Sequence, residues 1–148
     1  MRQINNPDQS LPYHLRGAFR GFETALGRHL KRYDLPLSQF YILRLQWSPG
    51  GNSQTDIAER AFMSESVASQ VIKKMEAKGL VRKKSDAKDN RKYLVSLTHT
   101  GETLRNKIAK DGIQISTKHA PKISKADLKT AIEVLKKVRE GFDLYNAQ

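Results

Sequence analysis

A helical stretch at residues 64–78 carries the side chains with the clearest binding chemistry. Apolar residues recur there at i, i+3, i+4 and i+7, so they form a stripe that faces a core. The stripe consists of Ala68, Val71, Ile72 and Met75. The opposite face, which we call the reading face, carries Ser64, Ser66, Val67, Ser69, Gln70, Lys73 and Lys74. Because glutamine pairs with adenine edges, serine with several base edges and lysine with phosphate or guanine, this face is predicted to read the major groove of double-stranded DNA.

Val67 is the apolar exception on the reading face. A β-branched side chain there can pack on a thymine methyl group. It can equally be a partly buried packing residue. The sequence leaves both interpretations open.

A basic turn follows the helix, between strand-like segments at residues 80–84 and 92–97. The residues between them are polar turn formers, so a β-hairpin is predicted. Its candidate DNA contacts are Lys83, Lys88, Asn90, Arg91 and Lys92. Arginine at a hairpin tip suits the negative potential of a minor groove, and Asp89 is placed to hold Arg91 by a charge-assisted hydrogen bond. A charged hairpin alone is as often a solvated loop, but beside a reading helix the DNA interpretation is favoured.

Short helices must hold the reading face in place. Ser64 is the predicted N-cap of its helix, and Gly79 is the predicted C-terminal stop. A two-turn helix precedes it, beginning at Ser53 and Asp56, which are spaced like a capping box, and ending near Ala61. Two short helices joined by a tight turn are typical of a helix-turn-helix. Apolar periodicity predicts four longer helices around the pair, at about residues 10–30, 36–48, 98–120 and 124–145.

Charge and composition limit the partners. The 148 residues suit one ordinary domain, and 27 basic against 15 acidic residues give a net charge of +12. Such a charge favours a polyanion, either nucleic acid or an anionic membrane surface. Residues 71–92 alone hold nine basic side chains against three acidic ones. With no cysteine, no spanning run and no apolar N-terminal segment, we expect a soluble cytoplasmic protein.

The sequence resembles the MarR family of transcriptional regulators along nearly its whole length. The resemblance is carried by residues 35–43, by Asp56-Ile57-Ala58, by residues 63–81 and by the segment from Asp86 to Arg91 with Leu97-Thr98-His99-Thr100-Gly101 after it. Asp89 and Arg91 match the family's Asp-x-Arg wing pair, which implies that Arg91 enters the minor groove. Departures from the family pattern are Pro36, Val67, Gln70 and Lys83. Val67 and Gln70 are expected to shift base preference, and Lys83 lacks the bidentate fork of arginine.

The resemblance implies an architecture and a partner. The expected fold is mainly α with a small β-hairpin wing: a winged helix-turn-helix lobe at residues 36–98, and a helical dimerisation region at 1–35 and 99–148. The family's dimer places two reading heads about one DNA turn apart on a pseudo-palindromic operator. The last helix agrees, since its apolar residues exceed what one short domain needs. The alternative is that this helix packs only against its own chain.

The resemblance also implies a small aromatic or phenolic acid that releases the DNA. Candidate ligand-binding residues are Tyr13, His14, Arg16, Arg20, Tyr41 and Arg44, which offer aromatic walls and cations for a carboxylate. For each of them taken singly, an amphipathic surface or packing role is the more common explanation. Only the cluster supports the ligand hypothesis.

Competing functions fit the sequence less well. The four histidines are scattered, and neither a nucleophile motif nor a phosphate-binding glycine loop is present, so no enzyme, cofactor or metal site is expected. The alternative to a sequence-specific repressor is a ligand-independent architectural protein, or one that binds nucleic acid without specificity. A reading face next to a paired wing favours the repressor.

Overall fold

The computed structural model describes residues 6–85, 93–119 and 123–147. These residues form a mainly helical fold with a small antiparallel sheet, as the sequence predicted. The helices are α1 (Leu11–Leu30), α2 (Leu37–Leu43), α3 (Gln54–Arg60), α4 (Glu65–Ala77), α5 (His99–His119) and α6 (Lys125–Asn146). The strands are β1 (Asn52–Ser53), β2 (Val81–Ser85) and β3 (Tyr93–Leu97). In these ranges no helix is long and apolar enough to cross a membrane.

The apolar stripe of α4 is buried, which confirms the prediction from its spacing. Ala68, Ile72 and Met75 are 0% exposed and Val71 is 7% exposed. They pack in one core with residues of α1, α2, α3 and the sheet, and Ile108 of α5 joins the same core. Burial on this side fixes the rotation of α4 about its own axis.

The prediction that α2 continues through Trp47 is wrong. The helix ends at Leu43, and the chain then turns back toward β1. Asn52 holds this turn, because its side-chain oxygen accepts a hydrogen bond of 3.0 Å from the Ser48 backbone nitrogen. Trp47 still packs against the core, so its place in the apolar pattern reflected burial and not helical structure.

The sheet has one strand more than the predicted hairpin. The strand order is β1-β3-β2, with Asn52 opposite Val95 and Val81 opposite Leu97. The sequence did not reveal β1 because two residues show no period. The first strand lies one residue later than predicted, at 81–85, and the second begins one residue later, at 93, and ends at 97 as predicted. Ser85, which was predicted in the turn, is instead the last residue of β2. The rest of the predicted turn, residues 86–91, and Lys92 lie outside the described residues.

Capping residues set the ends of the short helices. The Ser53 hydroxyl accepts from the Asp56 backbone nitrogen at 3.1 Å, which is one half of the predicted capping box. The Asp56 carboxylate does not complete the box and instead accepts from Asn52 at 2.6 Å and from Arg60 at 3.2 Å. The start of α3 is therefore joined to β1 by side-chain hydrogen bonds.

The C-terminal end of α4 is held by the start of α5. Gly79 has a φ of +68°, and its carbonyl oxygen accepts from the Thr98 hydroxyl at 2.6 Å. The same hydroxyl accepts from the Gly101 backbone nitrogen at 3.1 Å. Gly101 lies so close to the Leu80 carbonyl oxygen that a β-carbon at this position would overlap it. Only glycine permits this approach.

Phe62 and Asp34 are the described non-glycine residues with positive φ, at +55° and +47°. The left-handed region costs most side chains about 1–2 kcal/mol, although aspartate tolerates it better than phenylalanine does. Asp34 also has a specific partner, because Lys78 donates to its carboxylate at 2.9 Å and to its carbonyl oxygen at 2.7 Å. This pair joins the end of α4 to the chain between α1 and α2.

The chain divides into two compact units, residues 1–114 and 115–148. The first contains α1 to α4, the sheet and most of α5. The second contains α6, whose N-cap is Ser124, since the Ser124 hydroxyl accepts from the Asp127 backbone nitrogen at 3.0 Å. The functional division at residues 36–98 stays a prediction.

Replacing Gly101 with alanine tests the close approach of α5 to Leu80. We expect Gly101→Ala to lower the free energy of unfolding in urea by about 1–3 kcal/mol, because backbone must move to admit the β-carbon. Gly141 in α6 is the control, since it has open space around it. Gly141→Ala should raise stability by about 0.5–1 kcal/mol. Equal effects of the two substitutions would contradict the packing described here.

Candidate nucleic-acid interface

The structure places the seven residues of the reading face together on α4 and at its N-cap. Ser66, Gln70, Lys73 and Lys74 are exposed and Ser69 is half-buried. Val67 is 45% exposed, which is compatible both with a contact to a thymine methyl group and with partial packing in the protein. The apolar stripe of α4 is buried in the core, so the reading face on the opposite side of the helix can contact a partner.

Ser64 has a structural task as well. Its hydroxyl oxygen accepts from the Val67 backbone nitrogen at 3.4 Å and lies 3.2 Å from the Ser66 hydroxyl. The cap keeps the first turn of α4 in a regular helical conformation. Ser66 and Val67 are exposed on this turn. The helix dipole adds partial positive charge at the same end, which favours an anionic partner.

Lys83 is the only predicted wing contact whose structure is described. Its ammonium nitrogen lies 3.8 Å from a carboxylate oxygen of Glu76, on α4. It is opposite Val95 in the sheet, on the face that also carries buried Val81. Lys83 therefore links the wing strand to the reading helix. Lys88, Asp89, Asn90, Arg91 and Lys92 lie outside the described residues.

Two cations of β2 were not selected from the sequence. Side chains alternate along a strand, so Arg82 and Lys84 lie on the sheet face opposite to Val81 and Lys83. Both are exposed, and Arg82 also donates to the Ser96 hydroxyl at 3.2 Å. The strand period, counted from the apolar Val81, would have distinguished them from Lys83. They extend the set of cations that are candidates for phosphate contacts.

The electrostatics of this region favour a polyanion. Residues 65–85 hold six basic side chains against Glu65 and Glu76. Lys78 and Lys83 have protein carboxylates as partners, at 2.9 Å and 3.8 Å. Four cations besides these two lie in the same region: Lys73, Lys74, Arg82 and Lys84.

The predicted ligand residues fall into separate groups along the chain. Tyr13 and His14 are in ring contact near the start of α1, with centroids 5.5 Å apart. Arg16 and Arg20 follow on α1 and are exposed, as is Arg44 just after α2. Tyr41 is half-buried, and its hydroxyl donates to a carboxylate oxygen of Glu23 on α1 at 3.1 Å.

Glu23, the hydrogen-bond partner of Tyr41, was not among the residues predicted from the sequence. Burial raises the pKa of the Tyr41 hydroxyl, and the hydrogen bond and negative charge of Glu23 raise it further, against the opposing charge of Arg44. A carboxylate next to Tyr41 repels an acidic ligand there. No period or motif marks the contact, because the two residues come from different helices.

Among the residues that the structure describes, no three histidine or acidic side chains are grouped to hold a metal ion.

A helix-turn-helix of α3 and α4 joined to a three-stranded antiparallel sheet defines a winged helix-turn-helix protein. The family model of the MarR family matches residues 35–93, so this segment is a MarR-family domain and the resemblance seen in the sequence is confirmed.

Known proteins agree with this assignment. The transcriptional regulator TtmR of Methylorubrum extorquens is 29% identical over 101 residues, which are 68% of this chain and 52% of TtmR, so the match spans about half of that relative. The crystal structure of AbsC, a MarR family transcriptional regulator from Streptomyces coelicolor, has a TM-score of 0.84 at 23% identity and covers 97% of this chain and 99% of AbsC. BpsR of Bordetella bronchiseptica, whose DNA binding is described as regulated by 6-hydroxynicotinic acid, has a TM-score of 0.79 at 22% identity and covers 88% of this chain and 94% of BpsR. At these identities the two structures show a common fold.

Proposed function

We propose that this chain is a sequence-specific transcriptional regulator that binds double-stranded DNA as a homodimer and represses from a pseudo-palindromic operator. The observation that carries the proposal is the outward side of α4, where Ser66, Gln70 and the two lysines are exposed above a completely buried stripe. A helix of this kind fits a major groove, where amide and hydroxyl groups distinguish base edges.

Phosphate contacts supply most of the affinity in such a complex, and base contacts supply the specificity. The cations Lys73, Lys74, Arg82 and Lys84 suit the first task. Gln70 and Ser66 suit the second. The tip of the wing, with Arg91, is proposed to reach the neighbouring minor groove.

Homodimerisation is supported by exposed apolar side chains on two helices. On α1 these are Leu11, Leu15, Phe19 and Phe22, each 43–51% exposed. On α6 they are Leu128, Ile132, Leu135, Phe142 and Tyr145, each 40–73% exposed. A second copy of the chain buries such surfaces at a gain of about 25 cal/mol per Å². A two-fold axis then matches the symmetry of a palindromic operator.

The binding ratio between specific and random DNA tests the proposal. A duplex selected with the wild-type protein from a random library should be bound roughly a thousandfold more tightly than unselected duplex near physiological salt. The titrations are repeated over a salt series, because phosphate contacts weaken as salt rises. Equal affinity for both duplexes at every salt concentration would identify a non-specific architectural protein and reject the regulator.

Matched substitutions on α4 separate base contacts from phosphate contacts. Gln70→Ala should change base preference at one half-site position by about 1–3 kcal/mol and leave the salt dependence unaltered. Lys73→Ala should weaken all sequences alike and reduce the slope of log K against log salt by about 1. A uniform loss in Gln70→Ala would show that Gln70 contacts the backbone instead.

A small aromatic acid is proposed to release the protein from DNA. The regulation of BpsR by 6-hydroxynicotinic acid supports it by analogy of fold. Because Glu23 repels a carboxylate beside the Tyr41 hydroxyl, the acid group is proposed to pair with Arg44 on the exposed side.

A thermal-shift screen of aromatic carboxylates and their neutral amides tests the ligand class. An acid at 100 times its Kd should stabilise the protein by about 2.7 kcal/mol, and Arg44→Gln should remove the shift. Equal shifts with the amides would show that the acid group is not recognised.

A further inference from the structure

The outward side of α1 carries cations that have no part in the proposed contacts of α4 and the wing. Each residue of an α-helix advances by about 100°, so residues at spacings of four, eight and eleven return to one side. Lys31 follows the last residue of α1 and keeps its rotation, with a φ of −54° and a ψ of −33°. The four exposed side chains on this side, which we call the α1 cations, are Arg16, Arg20, Arg28 and Lys31. They form a row about 22 Å long.

Acidic side chains do not neutralise this row. Among the residues that the structure describes, none of the α1 cations forms an ion pair with a carboxylate. Glu23 borders the row, but its carboxylate accepts from the Tyr41 hydroxyl at 3.1 Å. The other residues on the same side between positions 16 and 31 are glycines and Thr24. The row is therefore a surface of unbalanced positive charge.

The charge of the whole chain is distributed in the same way. The segment 36–98, predicted as the DNA-binding lobe, holds 11 basic and 6 acidic side chains. Of the net charge of +12, +7 therefore lies outside that segment. Binding of one operator through α4 and the wing leaves this larger share of the charge available to a further polyanion.

The core and the proposed dimer surface leave the α1 cations accessible. Leu26 and Leu30 of α1 are 6% and 0% exposed and pack in the core that also contains the apolar stripe of α4. The α1 cations point away from that core, and α2 packs against both α1 and α4. Phe19 and Phe22, which are proposed to contact a second copy, lie on the same side of α1 as Leu26 and not among the cations. The reading face and the α1 cations are consequently separate surfaces on two helices of one core.

We propose that the α1 cations bind the phosphate backbone of a second duplex, so that a protein seated on its operator through α4 also holds another segment of DNA. The inference rests on the proposed DNA-binding function. Arginine suits this contact because its guanidinium group pairs with phosphate through two parallel hydrogen bonds. A row of about 22 Å spans roughly six base pairs of B-DNA, at about 3.4 Å per base pair. Contacts to phosphate carry no sequence information, so the second segment need not be an operator.

An anionic membrane is the competing partner for such a row. A helix that lies in a membrane surface inserts its apolar side into the lipid. The apolar side of α1 is engaged in the core through Leu26 and Leu30, so α1 does not insert in this way. Duplex DNA is moreover the polyanion that α4 is proposed to keep close to the protein.

Capture of a second duplex tests the inference. Protein is loaded on beads that carry the selected duplex, unbound protein is washed away, and a labelled random duplex is titrated. We expect capture with a dissociation constant of about 1–100 µM near physiological salt, as for other non-specific phosphate contacts. Replacing all four α1 cations with glutamine should weaken capture at least roughly tenfold and reduce the slope of log K against log salt by about 3–4. Arg16→Gln with Arg20→Gln alone should reduce the slope by about 2.

A matched variant controls for the loss of charge. Four glutamines on α6 remove the same charge, but charges more than about 8 Å away are screened at physiological salt, so capture should change by less than about twofold. The control substitutions are Lys125→Gln, Lys129→Gln, Lys136→Gln and Lys137→Gln. Binding of the selected duplex on the beads shows that each variant is folded. Changing the three arginines of α1 to lysine keeps the charge and should keep most of the capture.

Two results would overturn the inference. One is equal capture of the second duplex by the wild type and the variant without the α1 cations. The other is a wild type that captures no second duplex but binds phosphatidylglycerol vesicles through the same four residues, which would assign the row to a membrane. A wild type that binds selected and random duplex equally well rejects the proposed function instead, and loss of second-duplex capture in the α1 variant still identifies the α1 contact.

Discussion

The burial of the apolar side of α4 determines the rest of the molecule's binding surface. With Ala68, Ile72 and Met75 fully enclosed, rotation of α4 about its axis would expose three apolar side chains at once. Fully burying a side chain of the size of Ile72 or Met75 is worth about 1.5–3 kcal/mol, so alternative orientations are strongly disfavoured. The serine, glutamine and lysine side chains opposite the stripe consequently face outward in a fixed arrangement before any partner binds.

Polar contacts then hold the two ends of α4. At the N-terminal end, Ser64 caps the helix. At the C-terminal end, Thr98 joins Gly79 to α5, and Lys78 joins the helix to Asp34. Lys83 of the wing strand lies against Glu76 of the same helix. These contacts link the helix and the wing strand to each other and to α5. The links hold the DNA-binding surface in one conformation before it enters a groove.

Local periodicity made much of this predictable, and contacts between distant residues account for what it missed. The stripe of α4, the serine caps and the two longer strands each have a repeat or a sequence signature of a few residues. The strand β1 has only two residues and is defined by its partner β3. Likewise Asn52 holds the turn that follows α2, and Tyr41 meets Glu23 across two helices.

The central claim is that α4 enters the major groove at two related half-sites. Methylation interference on the selected duplex tests it directly, because dimethyl sulfate modifies the N7 atom of guanine in that groove. We expect interfering guanines in two groups whose centres are about 10–10.5 base pairs apart, one group for each protomer. Unimpaired binding to DNA that is methylated at every guanine N7 of both half-sites would contradict the account.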